Sequence, residues 1–375
     1  MAARWGRAAA TALALAAIAS AGVVLASESD RDLSRDAAMA DWRRAVAPAA
    51  RGVAASADPR LQLVAADMLL FQALPATGPR EKVMLEAVRP EAEAVYARLR
   101  AGSSDFLVLW LAATDCPFGE ALCDRDGAID TLLRLEPDNA APWFLALDRA
   151  VQRKDATAID AALEGIAASR HYRQGLADQV RTWIDGYIAI GAQPEAPPGL
   201  FAAMSPQLLQ APVAPRHRRA LVGMTGHSIG LFRGHPRFLA FSEVCGREVA
   251  VEAARRERCR AAARVLRDAD IVVVTSMAIR ALYRLADEDA TRAEAEREFA
   301  VFQWMMEHHG QVAPEVIDAA GVFHADEALA LLAAWRAHDS EREVFAAFAR
   351  AAGVPLEPPA DWRPRYTLAE REAMK

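Results

Sequence analysis

Gly226-His227-Ser228-Ile229-Gly230 is a run whose residue types could perform covalent chemistry. G-x-S-x-G is the spacing of a nucleophile elbow, a strained strand-to-helix turn that lifts a serine Oγ toward an ester or amide carbonyl. Ser228 would be the nucleophile, one of His308, His309, His324 or His338 its base, and Asp287 or Asp318 the group orienting that base. The flanking sequence gives this little support. An elbow follows a hydrophobic strand, whereas Arg218 to Thr225 holds only two or three apolar residues, and strands do not alternate with helices on either side. The competing expectation is that Gly226, Ser228 and Gly230 are small because two helices meet closely there. No catalytic residue is therefore assigned, and a serine hydrolase using Ser228 is kept as the alternative.

Other polar patterns have similar double readings. Arg256, Arg260, Arg264 and Arg267 recur every three or four residues and share a helix face, which could bind an acidic ligand. Glu252 and Glu257 lie on or near that face and make a solvated, charge-balanced surface the plainer expectation. Asp124-Arg125-Asp126-Gly127 with Asp130 hints at a calcium loop, but its glycine comes too early and the terminal glutamate is missing, so turn and capping roles are expected. His308 and His309 fit the end of a helix, where they would offset its dipole, better than a metal site. No metal or cofactor is expected.

Cys116, Cys123, Cys245 and Cys259 form two sequence-local pairs. Pro117 and Gly119 allow a turn that returns Cys123 to Cys116. Cys245 and Cys259 would stand about 21 Å apart in one continuous helix, against the ~7 Å limit for a bridge. A bridge therefore requires a helix ending near Cys245, a reversal at Gly246, and a new helix carrying Cys259. A four-cysteine zinc site lacks its usual CxxC knuckles, and free buried thiols are the remaining possibility.

The elements that must hold these residues are helical. The chain has 375 residues, is 53% apolar and 25% charged, and much of its apolar share is alanine, the strongest helix former. Met84, Val88, Val95 and Leu99 fall on one helix face. Asp58-Pro59 reads as a cap followed by a first-turn proline, Gly102 as a stop and Ser103 as the next cap. Thr291–Glu294, Ser340–Glu343 and Thr367–Glu370 read as capping boxes. Ile271 to Val274 is the one short strand-like run, and helix is expected there too.

Residues 128–163 resemble one unit of a tetratricopeptide repeat array. The resemblance rests on Leu135-Glu136-Pro137-Asp138-Asn139 as the linker between repeats, and on Trp143 and Asp155 at the family's helix-A and turn positions. Ala146 and Leu147 stand where the family has Leu-Gly, and a second copy 34 residues away is missing. The resemblance implies that Trp143 fills the gap between paired helices, that Pro137 and Asn139 shape the linker, and that Asp155 caps the second helix. It also implies a concave surface for a protein or peptide.

The N-terminus carries Arg4 and Arg7, then an uncharged Ala- and Leu-rich stretch ending Val24-Leu25-Ala26-Ser27. This is the pattern of a secretory signal peptide cleaved after Ala26, placing the remainder in the periplasm or outside the cell. The alternative is an inner-membrane anchor left in place and facing the periplasm, the one route to membrane contact. Net charge is −6 and becomes more negative without the leader, which argues against nucleic acid as partner. The expected organisation is a leader (1–26), an N-terminal helical, tetratricopeptide-like domain (27–193), a proline-rich linker (194–214) and a C-terminal helical domain (215–375). The expected fold class is all-α, with antiparallel hairpins stacked as an irregular α-solenoid of two lobes. The expected role is non-catalytic binding or scaffolding.

Overall fold

The computed structural model describes residues 46–71, 79–116, 118, 120–191, 214–246, 252–319 and 322–373. The leader, and the proline-rich linker apart from its last residue, lie outside the described residues. The fold is all-α: the described residues contain no strand, only isolated bridges at Asn139–His171 and Ile317–Phe323. After a helical stretch at 46–54, the first half supplies α1 (Pro59–Phe71), α2 (Pro79–Gly102), α3 (Phe106–Thr114), α4 (Glu120–Cys123), α5 (Arg125–Leu135), α6 (Ala140–Arg153), α7 (Ala156–Ala168) and α8 (Leu176–Gly191). The second supplies α9 (Pro215–Phe232), α10 (Leu239–Val244), α11 (Ala253–Leu266), α12 (Val272–Leu285), α13 (Asp289–Trp304), α14 (Ala325–Ala337), α15 (Glu341–Ala351) and α16 (Leu368–Ala373).

Most of the anticipated helix starts follow the local signals. Asp58 accepts the Arg60 N–H at 2.9 Å ahead of α1. Ser340 accepts from Glu343 N–H at 3.2 Å, and the Glu343 carboxylate accepts from Asp339 N–H at 3.0 Å. Thr367 and Glu370 exchange bonds of 2.8 and 3.1 Å, a complete capping box. Two starts differ from expectation. Asp105, not Ser103, caps α3 by accepting the Val108 N–H, while Ser103 supports Asp105 from behind. α13 begins at Asp289, so the Thr291 box does not form: Arg292 reaches back to the Ala286 carbonyl at 3.0 Å and pairs with Asp289, closing the turn two residues earlier. The Ile271–Val274 run opens α12, with Ile271 at its cap position.

Both cysteine pairs are bridged, Cys116 to Cys123 with Cα atoms 5.8 Å apart and Cys245 to Cys259 at 5.6 Å. Cys245 ends α10 and Cys259 lies inside α11, the break and restart that a bridge demanded.

At the centre α8 and α9 run antiparallel, Gly191 meeting Val222 and Gly230 meeting Val180. α1 flanks α8, and α14 lies against both central helices. α6 and α7 form a hairpin that packs on α11 and α10, and α11 continues through α12 to α13. In a regular solenoid each hairpin rests on the next in sequence; here α7 finds α11 instead, with α8 to α10 intervening in the chain. Helices from both sides of residues 194–214 thus share one core, whose largest fully buried side chains include Trp110, Phe144, Tyr172, Trp183, Tyr187, Phe241 and Phe299.

Candidate functional site

Ser228 lies in the body of α9, only 3% exposed. A Cβ on Gly226 would stand 2.5 Å from the Trp183 carbonyl oxygen, and one on Gly230 2.9 Å from the Val180 Cα. The glycines are there because α8 and α9 touch backbone to backbone. The elbow reading needs a strand, a strained turn and an exposed Oγ, and continuous helix provides none of these. The proposed bases are scattered. α9 and α14 run parallel, since Arg216 lies 4.0 Å from Asp326, Gly223 faces Leu332 and the His227 ring is 5.4 Å from Trp335. His324, at the start of α14, is therefore level with Arg216, about 18 Å along the axis from Ser228. It does meet Asp318, Nε2 to Oδ2 at 3.1 Å, but away from the serine. His309 bonds the Pro355 carbonyl at 3.0 Å, His308 lies 3.7 Å from Trp304 ring to ring, and His338 follows α14 with its carbonyl accepting from Arg181. His227 is buried with neither ring nitrogen bonded, and burial pushes its pKa down to about 4.

The residues behind the repeat resemblance take structural roles in the α6–α7 hairpin. Asn139 caps α6, accepting from Ala141 N–H at 3.1 Å, and also clasps Arg173 by accepting its N–H and donating to its carbonyl. Trp143 occupies the seam between the hairpin's helices, where a Cβ on Gly165 would fall within its ring, and its Nε1 reaches the Pro137 carbonyl at 3.5 Å. Asp155 caps α7 through Ala158 N–H at 3.0 Å.

The arginine row on α11 meets acids. Arg256 and Arg260 reach Asp287 at 3.0 and 2.5 Å, Arg260 and Arg264 share Glu257, and Arg267 reaches Glu298 at 3.1 Å. The Arg260 hydrogen bond is the chief reason the Asp287 carboxyl lies below its ordinary pKa. Asp124 caps α5 through Gly127 N–H, and Asp126 and Asp130 face Arg149. Among the described residues, His, Cys, Asp and Glu form no group suited to a metal ion.

Sequence reasoning missed two features. One is a polar network through the core. Arg233 binds Asp67 and, at 2.6 Å, Asp115; Trp183 Nε1 donates to Asp67 at 3.0 Å; Trp110 Nε1 donates to the Gly234 carbonyl at 2.7 Å. Burial lowers the Arg233 pKa to about 10. Nearby, the Asp270 carboxylate accepts the N–H groups of Gln174 and Gly175 at 3.0 and 2.8 Å, and Glu341, raised to about 7 chiefly by burial, accepts from Val272 N–H. These partners lie far apart in sequence, so no local spacing announces them.

The other is a groove of about 310 Å³ between the α6–α7 turn and α10–α11. Val151, Ala156, Ile159 and Val244 give it an apolar lining, and Lys154, Glu243 and Arg255 complete the set of residues around it. Its walls are tied to one another. Cys245–Cys259 fastens α10 to α11, while Arg255 holds Asp160 at 3.0 Å and Arg258 holds Glu164 at 2.9 Å, fastening α11 to α7. Lys154 is exposed and sits at φ 55°, the left-handed position that closes α6. A side chain at such a position costs about 1–2 kcal/mol relative to right-handed backbone, and glycine is the usual occupant.

Against known proteins, no family model, curated protein or solved structure gives a significant match.

Proposed function

We propose that this protein is a non-catalytic, exported helical scaffold that takes an extended protein or peptide segment in the groove between α6–α7 and α10–α11, and that the α6–α7 hairpin is a tetratricopeptide-like unit. The observation that carries this reading is an apolar trough on a helical framework whose walls are joined by a disulfide and by ion pairs, an arrangement that reduces the ordering cost when a segment binds. Export rests on the N-terminal leader pattern and is supported by two disulfides, which persist in oxidising compartments such as the periplasm. Among the described residues no helix is long and apolar enough to cross a membrane, so membrane attachment in this reading requires retention of residues 8–25.

Site-specific photo-crosslinking in intact cells tests the proposal. A photoreactive residue at Val151 or Ala156 should yield a discrete adduct with a protein partner, and one at exposed Glu370 on α16 should not. Equal labelling at all three positions, or none at the groove, would overturn it.

A further inference from the structure

We infer that the segment bound in this groove carries an acidic side chain close to an aliphatic one, and that Lys154 is the residue that reads the acid; the inference rests on the groove proposal above. Three charged residues line the groove, Lys154, Glu243 and Arg255. Arg255 is committed to Asp160, and Glu243 to Arg237. Lys154 forms no ion pair or hydrogen bond through its side chain within the described structure. The ordinary explanation for a cation here, compensation of the helix dipole, is already met by Arg153 in the last turn of α6, itself paired with Asp126.

Lys154 is held in the left-handed conformation. A left-handed residue that only closes a turn would be best as glycine, yet this position carries a long cationic side chain. Lys154 follows α6 one turn beyond Val151, and Ile159 lies one turn into α7; all three line the groove, so a flexible four-carbon stem starts at its apolar lining. In an extended peptide, side chains two residues apart point the same way, about 6.5–7 Å from each other. An aliphatic residue could thus enter the trough while an acid two positions along meets the ammonium, whose flexible stem spans the remaining distance.

The test is a titration of the 15N-labelled protein with two capped tripeptides, acetyl-Leu-Ala-Glu-amide and acetyl-Leu-Ala-Gln-amide, which differ only in charge. Both should shift amide signals between Val151 and Ile159, with the glutamate peptide binding about twofold to fivefold more tightly, as expected for a solvent-exposed ion pair. That preference should disappear in Lys154→Gly, which suits the backbone and keeps the fold, and persist in Lys154→Arg. Equal affinity for the two peptides, or a preference that survives Lys154→Gly, overturns the role of Lys154 and leaves the groove reading standing. Absence of shifts with either peptide sinks both. Equal shifts with octanoate would overturn the commitment to a peptide.

Discussion

His227 is buried, and no protein group hydrogen-bonds either ring nitrogen. Trp335 lies against it from α14; Tyr187 of α8 is at the same level, and the pairs Arg336–Asp185 and Arg181–Asp339 tie α8 to α14 and to the residue shortly beyond it. Burial alone depresses its pKa from 6.5 to about 4. The unfolded chain therefore binds a proton that the folded one resists. The neutral imidazole's full contribution is present above pH 6.5 and is lost as pH falls through 4, on the order of 3 kcal/mol in all. Urea unfolding of His227→Leu should show a flatter decline between pH 6.5 and 4 than the wild type, and an unchanged slope would contradict this assignment. At this scale much was legible from sequence. Caps at Asp58 and Ser340 depend on contacts within four residues, so spacing discloses them; the Asp155 cap is an implication of the repeat resemblance, and the Asn139 cap was missed. Ser228 shows the limit: its neighbours are set by α8, and nothing within the pentapeptide says that a second helix backbone lies against it.

Helices in this molecule are set apart by how closely they approach, and glycine marks the difference. Gly52 is helical with open space around its Cα, so Gly52→Ala should stabilise the protein by about 0.5–1 kcal/mol through helix propensity. Gly226 offers the same intrinsic gain, but its new methyl group would be forced against the Trp183 carbonyl. Separating α8 from α9 should outweigh propensity and leave Gly226→Ala less stable by about 1–3 kcal/mol. Denaturant midpoints of opposite sign for these two substitutions are the expected result; a gain at both would mean the central pair yields easily. The helical character of these elements could be read from alanine content and apolar period. Their partners could not. α7 joins α11 through Arg255 and Arg258 with Asp160 and Glu164, residues some ninety positions apart, and the groove exists only because that pairing forms.

Across the whole molecule, Arg233 ties together α1, the end of α3 and the end of α9, and Gln179 of α8 holds the Arg233 carbonyl at 2.8 Å. Replacing it with methionine would leave Asp67 largely buried without its counter-ion, a loss of about 3–5 kcal/mol. Arg233→Met with Asp67→Leu should recover much of that, because the buried charge is gone and the remaining partner, Asp115, is partly open to solvent. Tryptophan fluorescence and far-ultraviolet circular dichroism should lose structure in one coincident transition, since both halves share the core; two separated transitions would show that the halves fold independently. The core's sharing across residues 194–214 was not visible in the sequence, where proline marks an interruption but not which surfaces meet beyond it.

The Trp110 to Gly234 bond joins positions 124 residues apart. Gly234, left-handed at φ 68°, fits there because any Cβ would press on Leu111. A polypeptide threaded through a channel amino-terminus first must therefore wait, with the seats of Trp110 and Trp183 uncovered, until more than half its length has emerged. Rapid, local helix formation cannot shorten that interval, because closing the distant contact is what completes the fold. During that delay the apolar surfaces that the fold later covers stay open to solvent and to one another.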